Sequence, residues 1–326
     1  MSAAVVCLRP QADFTRVGVA VPASLEVTYH APDDAELASL LEAARALVIP
    51  AVGPRLAPEL FDNAGLEIIQ VTGAGVDRLD RPGIEKRGIA VANVPGGSNS
   101  ALAEYATASA STLLRRLALA SDEIRAGNYV AFRKRLLTDN VCGLDGLTVG
   151  VVGLGVVGLA VAEAFHKHDC KIVCYDPAPP DTARAEALDA KALALNELLT
   201  TSDVVTLHVP LLPATTGLIG AQELALMKPG AILIQASRGG VVDETALADA
   251  LQSGHLGGAA IDVYSSEPPS DDNPLLRLTG EAADRTILTP HIAGVTRQAA
   301  AFLFRSAWEN IERVLIDKQP PLHRVY

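Results

Sequence analysis

Apolar residues in this chain recur in short continuous runs, each closed by a turn residue and followed by a stretch at helical spacing. Val5 to Leu8, Ala46-Leu-Val-Ile-Pro50, Leu66-Glu-Ile-Ile-Gln-Val71 and Ile89-Ala-Val-Ala-Asn93 are the first four such runs. Runs this short, bounded by turn signals, read as buried strands. Helical stretches at 33–44 and 58–63 separate the first three, and the alternation predicts a small parallel sheet with helices on its faces. From Ser98 to about Ala126 the chain has no proline and no interior glycine and is rich in alanine and leucine, which predicts one long helix carrying the chain into a second domain. Residues 127–147 read as a loop with a basic cluster, Arg133-Lys-Arg135, on a solvated face. A second series of runs follows at 148–152, 171–175, 204–209, 231–236, 258–262 and 286–288, with helices near 194–199, 222–227 and 244–253. Six strands in a βαβ rhythm predict a doubly wound sheet. Residues 297–317 form a last long helix that returns to the first domain. Pro177-Ala-Pro-Pro180 reads as a local loop, and no internal repeat is present.

Composition narrows the class. With 326 residues, 49% hydrophobic and 20% charged, the chain can build two large cores and is not disordered. A net charge of −11 argues against nucleic acid and against an anionic membrane surface as main partners. The uncharged run from Gly146 to Ala162 is long enough to resemble a membrane span, but its five glycines parse as strand, turn and helix. The four cysteines (Cys7, Cys142, Cys170, Cys174) form no ligand-like array, and Cys170 and Cys174 flank a run expected to be buried. Met1-Ser-Ala-Ala shows no signal peptide, so a reducing cytoplasm is expected.

Thr148-Val-Gly-Val-Val152 runs into Gly153, Gly155 and Gly158 at the spacing G-x-G-x-x-G. The first glycine allows a tight turn, the second lets a pyrophosphate approach the backbone, and the third lets a helix lie close on the strand. The free N–H groups of a helix starting near Val156 and Val157 would face the phosphates. The next run, Lys171 to Tyr175, ends at Asp176, where a carboxylate accepts hydrogen bonds from an adenosine ribose and repels a 2′-phosphate. Pro177 rather than an arginine comes next, which favours NAD over NADP.

A dinucleotide fold needs further groups to act on a substrate, and these belong just after the carboxyl ends of strands. Arg238 follows the run ending at Ala236 and Ser237, Glu267 follows the run ending at Asp262, and His291 follows the run ending near Leu288. An arginine fork holds a carboxylate and a keto oxygen in fixed geometry. A histidine passes a proton near neutrality, and a carboxylate beside it fixes its tautomer. Singly, each has a plain structural explanation: a surface ion pair, a solvated loop acid, a packed core histidine. The loop Thr72-Gly-Ala-Gly-Val-Asp77 exposes backbone N–H groups that suit an anion, although a tight turn alone also accounts for it. His166 and His168, in His-Lys-His-Asp169, lie at an expected helix C-terminus, where the dipole favours cations, and no metal is expected.

Over nearly its full length the chain resembles the D-isomer-specific 2-hydroxyacid dehydrogenases. The resemblance rests on 72–80, 93–104, 148–158, 208–217, 236–243, 260–268 and 290–294. It implies an α/β architecture of two doubly wound parallel-sheet domains. A Rossmann cofactor domain (103–295) would be inserted in a smaller flavodoxin-like substrate domain (1–102 and 296–326). It further implies that Arg238 binds and polarises the substrate, that His291 donates or accepts the proton, and that Glu267 pairs with His291. Ala74 and Gly75 would offer N–H groups to the substrate carboxylate. Gly153, Gly155, Val156, Val157, Gly158, Asp176, Val209, Pro210, Ala236, Ser237, Arg238, Asp262, His291 and Gly294 would surround NAD, and the assembly would be a homodimer made through the cofactor domains. The activity implied is hydride transfer between NAD and C2 of a small 2-oxo or 2-hydroxy acid. A non-catalytic NAD-sensing protein on the same scaffold is the alternative of a different class, and a phosphoglycerate dehydrogenase is the alternative within the family. Several positions depart from the family pattern. Gln235 stands where many members have asparagine, and Val156 replaces the common arginine of the glycine-rich turn. Pro50 and Val71 stand where phosphoglycerate dehydrogenases carry arginines, and no regulatory domain is expected after Tyr326. These departures lead us to expect an unphosphorylated substrate of the glyoxylate or hydroxypyruvate type.

Overall fold

The computed structural model describes residues 3–62, 64–139, 141–177 and 182–326. Met1-Ser2, the end of the 58–63 helix at Asn63 and most of the 177–180 loop lie outside the described residues. The chain separates into two compact units, Met1–Ser98 with Val295–Tyr326, and Asn99–Gly294.

The first unit is built on β1 (Ala3–Cys7), β2 (Leu25–Tyr29), β3 (Ala46–Ile49), β4 (Ile68–Val71) and β5 (Ala90–Ala92), in the order β2-β1-β3-β4-β5, all parallel. The order reverses between β1 and β3, the flavodoxin-like arrangement. Every residue of β3 and β4 is buried, as continuous apolar runs in a sheet covered on both faces require. Five strands replace the four expected. β2 escapes a search for apolar runs because it is an edge strand whose residues alternate between core and solvent. Short helices α1 (Gln11–Arg16), α2 (Leu37–Ala43) and α3 (Arg81–Lys86) accompany it, and Pro58–Phe61 is one 3-10 turn.

The second unit contains β6 (Thr148–Val152), β7 (Lys171–Tyr175), β8 (Lys191–Ala192), β9 (Val204–Leu207), β10 (Ile232–Gln235), β11 (Gly258–Ile261) and β12 (Thr286–Leu288). Their order is β12-β11-β10-β9-β6-β7-β8, again parallel throughout, with the reversal between β6 and β9. Its helices are α4 (Asn99–Leu114), α5 (Leu117–Arg125), α6 (Tyr129–Thr138), α7 (Val156–His166), α8 (Thr182–Ala187), α9 (Leu195–Thr201), α10 (Ala221–Leu226), α11 (Glu244–Gln252) and α12 (Gly280–Asp284). Two apolar clusters cover the sheet. One contains Leu198, Leu224, Leu247 and Leu251, and the other contains Ala106, Ala110, Leu159 and Phe165.

Two expectations need correction. The single helix over 98–126 is two helices, because Arg116 takes a left-handed φ of 51° and its guanidinium Nη1 donates to Asp139 Oδ2 at 2.7 Å. The 127–147 loop contains α6, which carries Arg133, Lys134 and Arg135 and buries Phe132 alone. The final helix α13 (Arg297–Leu315) belongs to the first unit. Its buried Phe304, Trp308, Ile311 and Leu315 recur at helical spacing and pack with Phe14, Val5, Val48 and Ile68.

Candidate active site

The glycine-rich turn joins β6 to α7 at the sheet's point of reversal. Gly153 has φ 91°, and a Cβ there would stand 2.7 Å from the carbonyl oxygen of His208 at the end of β9. Gly158 lies so close under the turn that a Cβ would collide with the carbonyl oxygen of Gly153. Gly155 caps α7, and a Cβ on it would meet nothing within 4 Å, so its backbone faces open space. The turn is therefore packed tightly on its inner side and bare on its outer side, as a pyrophosphate cradle requires. Asp176, after β7, accepts the Leu154 N–H at 2.7 Å through Oδ2, which ties the carboxylate to the turn. Val156 is exposed, and its carbonyl accepts a hydrogen bond from Asn99 Nδ2 at 3.1 Å. Val157 is half-buried, Val209 is buried and Pro210 is exposed. These features fit a dinucleotide without rearrangement of the turn.

The three candidate catalytic side chains follow β10, β11 and β12, which are neighbours in the sheet. His291 Nδ1 lies 2.8 Å from Glu267 Oε2, and both side chains are about three-quarters buried, 24% and 30% exposed. With Nδ1 engaged by the carboxylate, Nε2 is the nitrogen left to exchange a proton. Glu267 is itself anchored by the Tyr264 N–H, which donates to Oε1 at 3.1 Å. The Arg238 loop sits directly on that segment, since a Cβ on Gly239 would collide with the Tyr264 carbonyl. Arg238 donates from Nη1 to the Ser237 carbonyl at 2.8 Å. Ala236 is half-buried and Ser237 buried.

His291 has φ 55°, a left-handed conformation that a β-carbon disfavours. The loop is held in it by Asp262, 1% exposed. Asp262 Oδ1 accepts from the Thr289 hydroxyl at 2.6 Å and the Ile292 N–H at 2.8 Å, while Oδ2 accepts from the Ala293 N–H at 2.8 Å. The Asp262 carbonyl takes the His291 N–H at 2.8 Å. Thr289 in turn lies 2.8 Å from the Tyr105 hydroxyl on α4, and its carbonyl accepts from the Tyr264 hydroxyl at 3.1 Å. Burial raises the Tyr264 phenol to about 12 and raises that of Tyr105. Both therefore serve as neutral donors or acceptors at ordinary pH. Sequence reasoning assigned Asp262 to the cofactor and missed Tyr105 and Thr289 as supports. The only signal for Thr289 is its place two residues before His291. Gly294, half-buried, closes the loop.

In the first unit, the 72–77 loop after β4 is braced from β5. Val94 N–H donates to the Gly73 carbonyl at 2.9 Å, and Asn93 Nδ2 donates to the Ala74 carbonyl at 2.7 Å. Ala74 is exposed and Gly75 half-buried. Among the described residues, no group of three or more His, Cys, Asp or Glu side chains could hold a metal, and no helix is long and apolar enough to cross a membrane.

Comparison with known proteins shows the family. Residues 107–293 match the family described as D-isomer specific 2-hydroxyacid dehydrogenase, NAD binding domain. The chain is 42% identical over 234 residues to a D-3-phosphoglycerate dehydrogenase of Archaeoglobus fulgidus, an alignment covering 72% of this chain and 42% of that one. It is 36% identical over 265 residues to a glyoxylate reductase of Thermofilum pendens, covering 81% and 76% respectively. The chain spans about half or less of the length of the phosphoglycerate dehydrogenases it matches. The crystal structure of the TT0316 protein from Thermus thermophilus superposes with a TM-score of 0.83 at 33% identity, covering 99% of this chain and 100% of that one. The chain belongs to the D-isomer-specific 2-hydroxyacid dehydrogenases.

Proposed function

We propose that the protein is an NAD-dependent oxidoreductase that interconverts a small, unphosphorylated 2-oxo acid and the corresponding 2-hydroxy acid, of the glyoxylate or hydroxypyruvate type. The observation that carries this reading is the 2.8 Å His291–Glu267 pair beside the Arg238 loop. A general acid–base group of this kind is worth about 10²–10⁴ in rate. Arg238 presents its fork to the carboxylate and keto oxygen of the substrate and polarises the carbonyl. His291 delivers a proton to the developing alkoxide in reduction and withdraws it in oxidation, while Glu267 holds the ring so that Nε2 faces the reacting oxygen. NAD, held by Gly153, Gly155, Val156, Val157, Gly158 and Asp176 with Val209, Pro210, Ala236, Ser237, Asp262 and Gly294 around it, supplies the hydride chemistry when bound. Unit Asn99–Gly294 is then the cofactor domain and the other unit the substrate domain.

The working form is a homodimer assembled through the cofactor domain. Support comes from α5, which buries none of its residues, and from the exposed Leu117, Ile124, Tyr129, Val130 and Leu137 on α5 and α6. The setting is the cytoplasm, with which four free thiols agree.

The deciding assay follows absorbance of the reduced nicotinamide with glyoxylate, hydroxypyruvate, 3-phosphohydroxypyruvate and longer 2-oxo acids. Turnover with the first two is expected. A preference for the phosphorylated acid would move the protein to the activity named for its Archaeoglobus relative. NADH binding without turnover on any acid would leave a nucleotide sensor.

A further inference from the structure

Gln235 is the last residue of β10 and is 2% exposed, one of few polar side chains buried in this unit. Its position in the register is fixed on both sides, opposite Leu207 of β9 and Ile261 of β11. The side chain does not cross to either neighbour. It turns along its own strand and meets the loop that follows. Oε1 accepts from the Ser237 hydroxyl at 2.8 Å and from the Ser237 N–H at 3.3 Å, and Nε2 donates to the Arg238 carbonyl at 2.8 Å. One amide thus grips the loop at residues two and three positions ahead, on both sides of the Ser237–Arg238 peptide.

We propose that Gln235 is a positioning residue for Arg238, an amide staple that sets the direction in which the guanidinium leaves the sheet. This rests on the role given to Arg238 above. The loop needs such a staple. Gly239 and Gly240 follow at once, Gly240 with φ 81°, so the chain after Arg238 has little stiffness of its own. On its far side the loop is fixed by close packing of Gly239 on the Tyr264 backbone. Gln235 fixes the near side, and Arg238 lies between the two anchors. The length of the side chain matters. An asparagine is shorter by one carbon–carbon bond, about 1.5 Å, and cannot span the same two partners from the same strand end. A buried amide that loses its partners is costly, so the staple and the loop conformation specify each other.

The test is a double-mutant cycle with a measurement independent of catalysis. Gln235→Leu keeps the volume and removes every hydrogen bond. It should lower kcat/KM for the 2-oxo acid by about 10–100-fold, the range expected when a polarising group is displaced by up to an ångström. The NADH dissociation constant should change far less than kcat/KM, since most of the residues placed around the cofactor lie outside this loop, and Gln235→Asn should fall between the two. In an Arg238→Ala background the same Gln235→Leu change should cost almost nothing, because its effect passes through Arg238. An equal loss in both backgrounds, or no loss in the first, overturns the proposal. Hydrogen exchange of the resting enzyme supplies the second measurement. Gln235→Leu should accelerate exchange at the 237–240 amides and leave β9 and β11 protected. Unchanged local exchange overturns the staple whether or not the enzyme turns over. Wild-type protein inactive on every acid, with accelerated local exchange in the variant, refutes the proposed function and leaves the staple standing. If Gln235→Leu does not fold, Gln235→Asn carries both measurements with the same expected signs.

Discussion

His291, the proposed proton carrier, is held in a conformation its own side chain disfavours. A left-handed backbone costs on the order of 1–2 kcal/mol for a residue with a β-carbon, and here a buried carboxylate with three donors offsets it. His291→Ala keeps that backbone and removes the imidazole, so turnover should fall about 10²–10⁴-fold while NADH affinity changes far less. Near-normal turnover of this variant between pH 5 and 9 would assign the proton to another group. His208 offers a contrasting case. Its Nε2 meets the Thr206 hydroxyl at 2.8 Å, its Nδ1 is buried with no hydrogen-bond partner, and burial pushes the imidazole down to about 4. The unfolded chain takes up a proton on this side chain below about 6.5, whereas the folded chain does so only near 4. Stability from this residue is therefore full above the unfolded value and lost as pH falls toward 4. Thermal midpoints measured from pH 7 to 4.5 should drop more steeply for the wild type than for His208→Gln, and parallel curves would contradict the assignment. The imidazole proposed to carry the proton and the imidazole that stays neutral are both named in the chain simply as histidine. Only packing separates them, which is why spacing picked out His291 by its strand end and was silent on His208.

At the scale of elements, legibility followed the kind of constraint. The β6 turn could be read from the chain because its demands are demands for glycine: a positive φ at Gly153 and no room for a Cβ at Gly158. Strands β3, β4, β6, β9, β10 and β11 were equally plain, being apolar runs covered on both faces. The break between α4 and α5 was not, because Arg116 has no intrinsic preference for the left-handed state it adopts there, and its ion pair with Asp139 lies 23 residues away. Helix α6 was hidden as well. Its apolar residues are interrupted by Arg133, Lys134 and Arg135, and only Phe132 is buried. The supports of the catalytic loop, Tyr105 and Thr289, are 184 residues apart and meet only once the sheet has formed. The turn after β6 also yields a cofactor prediction. Asp176 is tied to Leu154 at the edge of the cradle, and a 2′-phosphate placed beside that carboxylate would add like charge. NADH should bind on the order of tenfold or more tightly than NADPH, given the cost of like charges in contact. Asp176→Ser should narrow the gap. Comparable dissociation constants for the two cofactors with the wild-type protein would refute the reading.

For the whole molecule, the first question is how many chains make the particle. Tyr129 and Val130 are 60% and 78% exposed, and α5 rests no side chain in its own core. Helices that bury so little of themselves are marginal in water, and a second copy is the proposed cover. Light scattering at micromolar protein should report about twice 34.0 kDa. Charged replacements of Leu117 and Ile124 should shift it toward 34.0 kDa, and a monomer in the wild type would refute the dimer. The second question concerns order of failure. Arg238, Glu267 and His291 follow three adjacent strands, but β12, which delivers His291, is the outermost strand of the sheet. It is three residues long, and each is only half-buried. A border strand has one neighbour to hold it, and such strands fray at free energies well below that of global unfolding. The proposed acid–base residue thus follows one of the two edge strands of the sheet, where local opening is easier than in its middle. In a urea titration, activity should fade at denaturant concentrations where far-ultraviolet ellipticity is still native, and a saturating 2-oxo acid analogue that engages His291 should draw the two midpoints together. Coincident midpoints in its absence would mean that the border is as firm as the core. Otherwise the enzyme has a built-in fuse: mild stress silences it reversibly, before the chain loses the fold from which activity can be recovered.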